Sequence, residues 1–135
     1  MTSRDQIQQT INATYAARKQ GKLDETMKSF ADDATFVLNA KGVGVEGLGE
    51  RISGKAAIRT AIAKLIEDWR FNTWDCIDLV VEGEKALVHW RSNVTCVPTN
   101  KSAVFDVFDV ITFRNGQIVE FRQSTDTAQM MRLAS

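Results

Sequence analysis

From residue 74 to residue 125 the chain alternates apolar and polar side chains with period two, and each break in the alternation falls on turn residues. Successive side chains of a strand point to opposite faces, so the pattern fits half-buried strands joined by turns. Strands are expected over 74–82, 85–96, 103–114 and 117–125, separated at Gly83, around Pro98 to Lys101, and at Asn115-Gly116. Asn-Gly is the strongest of these signals, because a type I′ hairpin turn needs positive φ at both central residues. A meander of four antiparallel strands follows.

Ahead of the meander the period changes. Within 5–20, Ile7, Ile11 and Tyr15 recur at i, i+4 and i+8, one inward stripe of an amphipathic helix that Gly21 can end. A second helix is expected from Leu23 or Asp24 to Phe30, closed by Ala31-Asp32-Asp33-Ala34, and then a strand over 35–40. A loop over 42–54 holds five of the eight glycines. A third helix over 55–69, capped near Ser53, turns Ile58, Ile62, Leu65, Ile66 and Trp69 inward, and residues 128–133 can add a short terminal helix. Helices first and strands second is the order of an α+β fold, and 135 residues make one domain, 1–135.

Charge excludes some partners. Seventeen Lys and Arg balance seventeen Asp and Glu, so there is no general attraction to nucleic acid or to anionic membranes. No apolar run approaches the roughly 20 residues of a membrane span, and Met1 to Gln6 is polar, so a cytoplasmic protein is expected. Cys76 and Cys96 stand apart from each other and from a histidine, which suits reduced thiols. His89 is the only histidine and falls on the outward parity of its strand, so no histidine-based metal site is expected. Gly42-Val43-Gly44-Val45-Glu46-Gly47 matches a dinucleotide fingerprint in letters only, since no helix opens on it and no parallel βαβ unit follows. A mobile lid over a cavity mouth suits it better.

Strand parity singles out one residue. Between Phe105 and Phe113 the odd positions are Phe105, Val107, Asp109, Ile111 and Phe113, so a carboxyl stands in an apolar row. Trp90 points the same way on its strand, together with Ala86, Val88, Ser92 and Val94. On the last strand Val119, Phe121 and Gln123 share the inner face. Phe108 and Val110 make the opposite face of the 103–114 strand apolar as well, which suggests a second subunit against it.

Four segments carry a family resemblance: 15–24 with Tyr15, Gly21 and Asp24; Phe30-Ala31-Asp32-Asp33-Ala34-Thr35; Gly54-Lys55-Ala56-Ala57-Ile58; and 109–122 with Asp126 beyond. In this order the chain resembles the nuclear transport factor 2-like superfamily, in its ketosteroid isomerase and SnoaL-like polyketide cyclase branch. The resemblance implies a cone: a strongly curved antiparallel sheet wrapped around three N-terminal-half helices, enclosing an apolar cavity and pairing into a homodimer. It also implies that Asp109, buried and kept protonated, donates a hydrogen bond to a substrate oxyanion beside a helix-1 tyrosine. That tyrosine's place falls on Thr14, with Tyr15 adjacent. Trp90, Phe121, Gln123, Leu38, Val107 and Phe36 would line the ligand wall.

The base positions of the family depart from the pattern. The isomerase base falls on Leu38, and the carboxylate used by epoxide hydrolases and SnoaL-like cyclases falls on Gln123. Glu46 in the glycine loop is an unusual alternative. The expected ligand is a small apolar or aromatic molecule with a carbonyl, enol or phenol oxygen, handled without metal or organic cofactor. Isomerisation, dehydration and cyclisation are the reactions to expect, and a non-catalytic carrier or dimerising interaction module is the other reading.

Overall fold

The computed structural model describes residues 1–40 and 49–135. Helix α1 (Arg4–Lys19) opens with a reciprocal cap, in which Ser3 accepts from the Gln6 amide and Gln6 accepts from the Ser3 amide. It ends where Gly21, at φ 72°, bonds back to Arg18 O while the Lys22 amide reaches Ala17 O. That left-handed closure suits glycine and fixes where the last turn of α1 stops. The short α2 (Leu23–Met27) then leads straight into strand β1 (Phe30–Leu38).

Here the structure corrects two expectations. Residues 31–34 do not close a helix: Phe30, Ala31 and Ala34 are buried and Asp32 and Asp33 exposed, so the segment is strand with its acids facing out. Asp33 accepts from Arg114 Nη2 at 2.8 Å across the surface. The sheet is mixed, because β1 runs parallel to the last strand, with Phe36 beside Phe121 and Leu38 beside Gln123. No tight turn joins these two strands, so nothing local imposes the antiparallel direction.

After β2 (Ile52–Ser53) comes α3 (Lys55–Asp68), then β3 (Trp69–Phe71). Gly54 rather than Ser53 holds the N-cap of α3, at φ 91° and without a side-chain cap, and Trp69 has passed from helix to strand. The meander follows as β4 (Asp75–Glu82), β5 (Lys85–Cys96), β6 (Lys101–Arg114) and β7 (Gln117–Thr125), closed by α4 (Thr127–Ala134) on an Asp126 cap. Asn115 and Gly116 both take positive φ, as their turn requires. The path runs β2-β1-β7-β6-β5-β3 with β4 also on β5, a strongly curled half-barrel.

Parity holds along β6 and along β5 as far as Val94, beyond which the outward Thr95 is also buried, bonded to Asn72 and Ser102, and it fails on β7. A bulge opposite Thr112 and Phe113 inserts a residue, so Ile118 is buried and Val119, expected inside, is only half-buried. Phe121 and Gln123 recover the inner face beyond the bulge. On the convex face His89 stacks on Phe108 and bonds Asp106 at 2.8 Å, while Val80, Leu87, Val104 and Phe108 stand exposed. Among the described residues no helix is long and apolar enough to cross a membrane.

Candidate functional site

A cavity of about 90 Å³ lies between α1, α3 and the concave face of the sheet. Phe36, Leu38, Trp90, Val107, Phe121 and Gln123, all expected as ligand wall, surround it. They come from four strands, each from an inward position, and the curl of the sheet brings them to one volume. Apolar groups dominate the lining, so a polar group admitted here must find its partner among very few atoms.

Tyr15 supplies one such partner. It sits on the inward stripe of α1, buried, with its ring stacked on Trp74 at 4.8 Å between centroids. Its hydroxyl donates to Asp109 Oδ2 and accepts from Gln123 Nε2 at 3.3 Å. Thr14 also lines the cavity, but its hydroxyl donates to Thr10 O within the helix, so Tyr15 is the α1 residue that reaches Asp109.

Asp109 is 1% exposed and lacks a cationic partner among the described residues. Trp90 Nε1 donates to the same Oδ2 at 2.8 Å, and Gln123 Nε2 donates to Oδ1 at 3.0 Å. Burial pushes the carboxyl up to about 6, opposed by the hydrogen bonds from Tyr15, Trp90 and Gln123. At neutral pH the carboxylate therefore predominates, stabilised by three donors. Asp109 is also not part of the cavity lining: Tyr15, Trp90 and Gln123 cover it. Tyr15 lines the cavity, and Asp109 lies behind it, accepting the hydrogen bond that fixes the direction of the Tyr15 hydroxyl. Burial raises the Asp109 carboxyl, as expected, while the cavity is lined by Tyr15, Trp90 and Gln123 rather than by Asp109 itself.

Burial, with the charge and hydrogen bond of Asp109, raises Tyr15 well above the usual phenol value, so the phenolate does not form at rest. The indole Nε1 of Trp74 is buried without an acceptor among the described residues. Among the described residues no three His, Cys, Asp or Glu side chains gather as metal ligands would. Glu46 and the glycine motif over 42–47 lie outside the described residues.

Arg18 is among the wall residues that were not singled out in the sequence, with Thr26, Phe71, Thr125 and Met130. Arg18 follows Tyr15 by three positions, which puts both on one face of α1. It is 8% exposed, lines the cavity, and lies with its guanidinium carbon 3.9 Å from the centre of the Phe71 ring. Its Nη2 donates to Leu65 O at 3.1 Å and to Trp69 O at 2.7 Å, closing the end of α3. In the sequence it reads as one of the polar residues Arg18-Lys19-Gln20 at a helix end, and only its spacing from Tyr15 hints otherwise.

A sequence profile described as SnoaL-like domain matches residues 11–121. No curated protein matches the chain in sequence. Among solved structures it is similar to an NTF2-like protein of unknown function from Burkholderia pseudomallei K96243, at 26% identity and TM-score 0.82, covering 95% of this chain and 96% of that one. A candidate isomerase from Rhodopseudomonas palustris superposes with TM-score 0.83 at 18% identity, over 99% of this chain and 98% of its own. TerC, co-crystallised with polyporic acid, gives TM-score 0.79 at 22% identity, over 93% of this chain and 95% of its own.

Proposed function

The chain belongs to the SnoaL-like domain family, and on that premise we propose that its cavity binds a small, mostly apolar molecule through one carbonyl, enol or phenol oxygen placed at the Tyr15 hydroxyl. The observation that carries this reading is the bond from Tyr15, on a mostly apolar wall, to a buried Asp109 that has no cationic partner among the described residues. When Asp109 is ionised, the Tyr15 proton is committed to it and Tyr15 Oη accepts from a ligand hydroxyl. When Asp109 is protonated, it can donate to Tyr15, which is then free to donate to a ligand carbonyl.

The chemistry is the handling of an enol proton. As a ligand O–H gives its proton to Tyr15 Oη, Tyr15 passes its own to Asp109 Oδ2, leaving an enolate and a neutral acid. Preorganised donors around a forming oxyanion favour isomerisation, dehydration or cyclisation through that enolate. Two similar structures support the class: a candidate isomerase, and a protein co-crystallised with an acid. Replacing Tyr15 by Phe removes the seat, and isothermal titration with phenols is expected to read at least a tenfold loss of affinity. Equal affinity would overturn the reading.

Leu38, where the isomerases carry their base, favours a second reading in which the cavity carries its ligand without turnover. Tight binding of enones and phenols with no product would select it. The exposed convex row of Val80, Leu87, Val104 and Phe108 supports pairing of two copies through that face in either case.

A further inference from the structure

Among the described residues Arg18 is the one guanidinium on the cavity wall, and its surroundings there leave it incompletely satisfied. A guanidinium has five N–H donors in a rigid fork. The two hydrogen bonds of Arg18 both leave from Nη2 and both go to neutral carbonyls. Among the described residues no carboxylate pairs with it, although its neighbours bury it more than nine-tenths. Burial lowers it to about 10, so it remains a cation at neutral pH. A buried charge held only by neutral groups is costly, and an anion is the partner that relieves it.

The position of Arg18 decides what kind of anion. Arg18 and Tyr15 project from the same face of α1, three residues apart, which is about 4.5 Å along the helix axis. Both line one cavity whose other walls are mostly aromatic and aliphatic, with the neutral side chains of Gln123 and three threonines among them. Nη2 and the Phe71 ring hold the guanidinium plane in place, so the remaining donors keep a fixed direction. A planar carboxylate or enolate suits such a fork better than a point charge does.

We infer that the ligand of this cavity is a hydroxy or enolic organic acid, seated by its oxygen at Tyr15 and by its carboxylate at Arg18. The inference rests on the reading of Tyr15 given above and names the substrate class of the same site. It gives the site two polar contacts at the ends of an apolar body, which fixes ligand orientation as one hydrogen bond cannot.

The probes are 3-hydroxybenzoate and its neutral isostere 3-hydroxybenzamide, titrated calorimetrically into the full chain at neutral pH. Wild type is expected to prefer the carboxylate at least tenfold. Arg18→Met is expected to abolish that preference, the two affinities converging. Equal affinities in wild type, or a preference that survives in Arg18→Met, would overturn the anion seat. Because Arg18 closes the end of α3, Arg18→Met can fail to fold. Wild-type protein titrated with benzoate then decides by the nitrogen-15 resonance of the Arg18 Nε–H: a saturable shift supports the seat and its absence overturns it. Failure of the Tyr15 reading looks different. There the carboxylate preference persists, and Tyr15→Phe binds both probes as wild type does.

Discussion

The Tyr15 hydroxyl donates to Asp109 Oδ2 from a position 94 residues earlier in the chain, and it does so inside the core. Both residues are buried, no cation neutralises the pair among the described residues, and Trp90 and Gln123 complete the acceptor's shell. Local structure on each side is simple, an amphipathic helix and an alternating strand. The site exists because the curled sheet wraps the second around the first.

The ionisation of Asp109 sets the hydrogen-bonding sense of Tyr15, so ligand choice is expected to depend on pH. Above about 6 the carboxylate holds the Tyr15 proton and the site favours a ligand that donates. Below that value Tyr15 is released to donate. Calorimetry between pH 5 and 8 is expected to show phenol affinity rising and cyclohexenone affinity falling as pH increases. Parallel curves would remove the relay.

Stability carries the same signature. Because the folded carboxyl titrates near 6 and an unfolded one near 4, the native state binds the extra proton between those values. Stability from this group is therefore greatest at the acid end and falls as pH rises, by roughly 3 kcal/mol in all, levelling off above about 6. Urea denaturation of wild type and Asp109→Asn from pH 4 to 7 isolates the contribution as a difference curve, which is expected to slope in that direction.

Trp90 donates to Asp109 Oδ2, and that bond favours the charged form. Trp90→Phe keeps an aromatic wall and deletes the donor, so the Asp109 carboxyl is expected to titrate higher than in wild type. Carbon-13 NMR on the two proteins side by side reads the shift.

Phe121 packs against Tyr15, Phe30 and Phe36 with centroids 6.4, 6.1 and 5.5 Å away. Truncation to Ala is expected to destabilise the fold by about 3–5 kcal/mol in urea titrations. It also enlarges the cavity, so bulkier phenols should gain affinity relative to phenol itself.

The convex face is a separate matter. Phe108 is 53% exposed beside His89 and near Arg91 and Asp106. Phe108→Asp is expected to shift sedimentation from dimer to monomer while leaving the fold intact. A wild-type chain that stays monomeric at high concentration contradicts the pairing.

What could be read from the letters was what obeys a local rule. Asn115-Gly116 announced its turn because both residues must take positive φ, and Asp109 announced its inward direction because strand side chains alternate. Ile118 and Val119 exchanged places because a bulge is set by the pairing with Thr112 and Phe113, not by the strand's own pattern. Phe30 to Ala34 looked like a helix end because its parallel partner lies at Ile118 and beyond, far along the chain. Arg18 escaped notice beside Lys19 and Gln20, since only the packing of α3 and Phe71 around it makes it a wall residue. Six wall residues were legible from parity and from the family likeness together, whereas the shielding of Asp109 by Tyr15, Trp90 and Gln123 needed the three-dimensional structure.

The central claim is that Tyr15 and Asp109 share one proton at the ligand's oxygen, and the Asp109 carboxyl reports on it. Carbon-13 NMR titration, with Asp109→Asn to assign the signal, is to be run on free protein and on protein saturated with phenol. The account predicts a value near 6 in the free protein, moving downward in the complex as the phenol hydroxyl donates to Tyr15. A value near 4 that phenol leaves unmoved would contradict it.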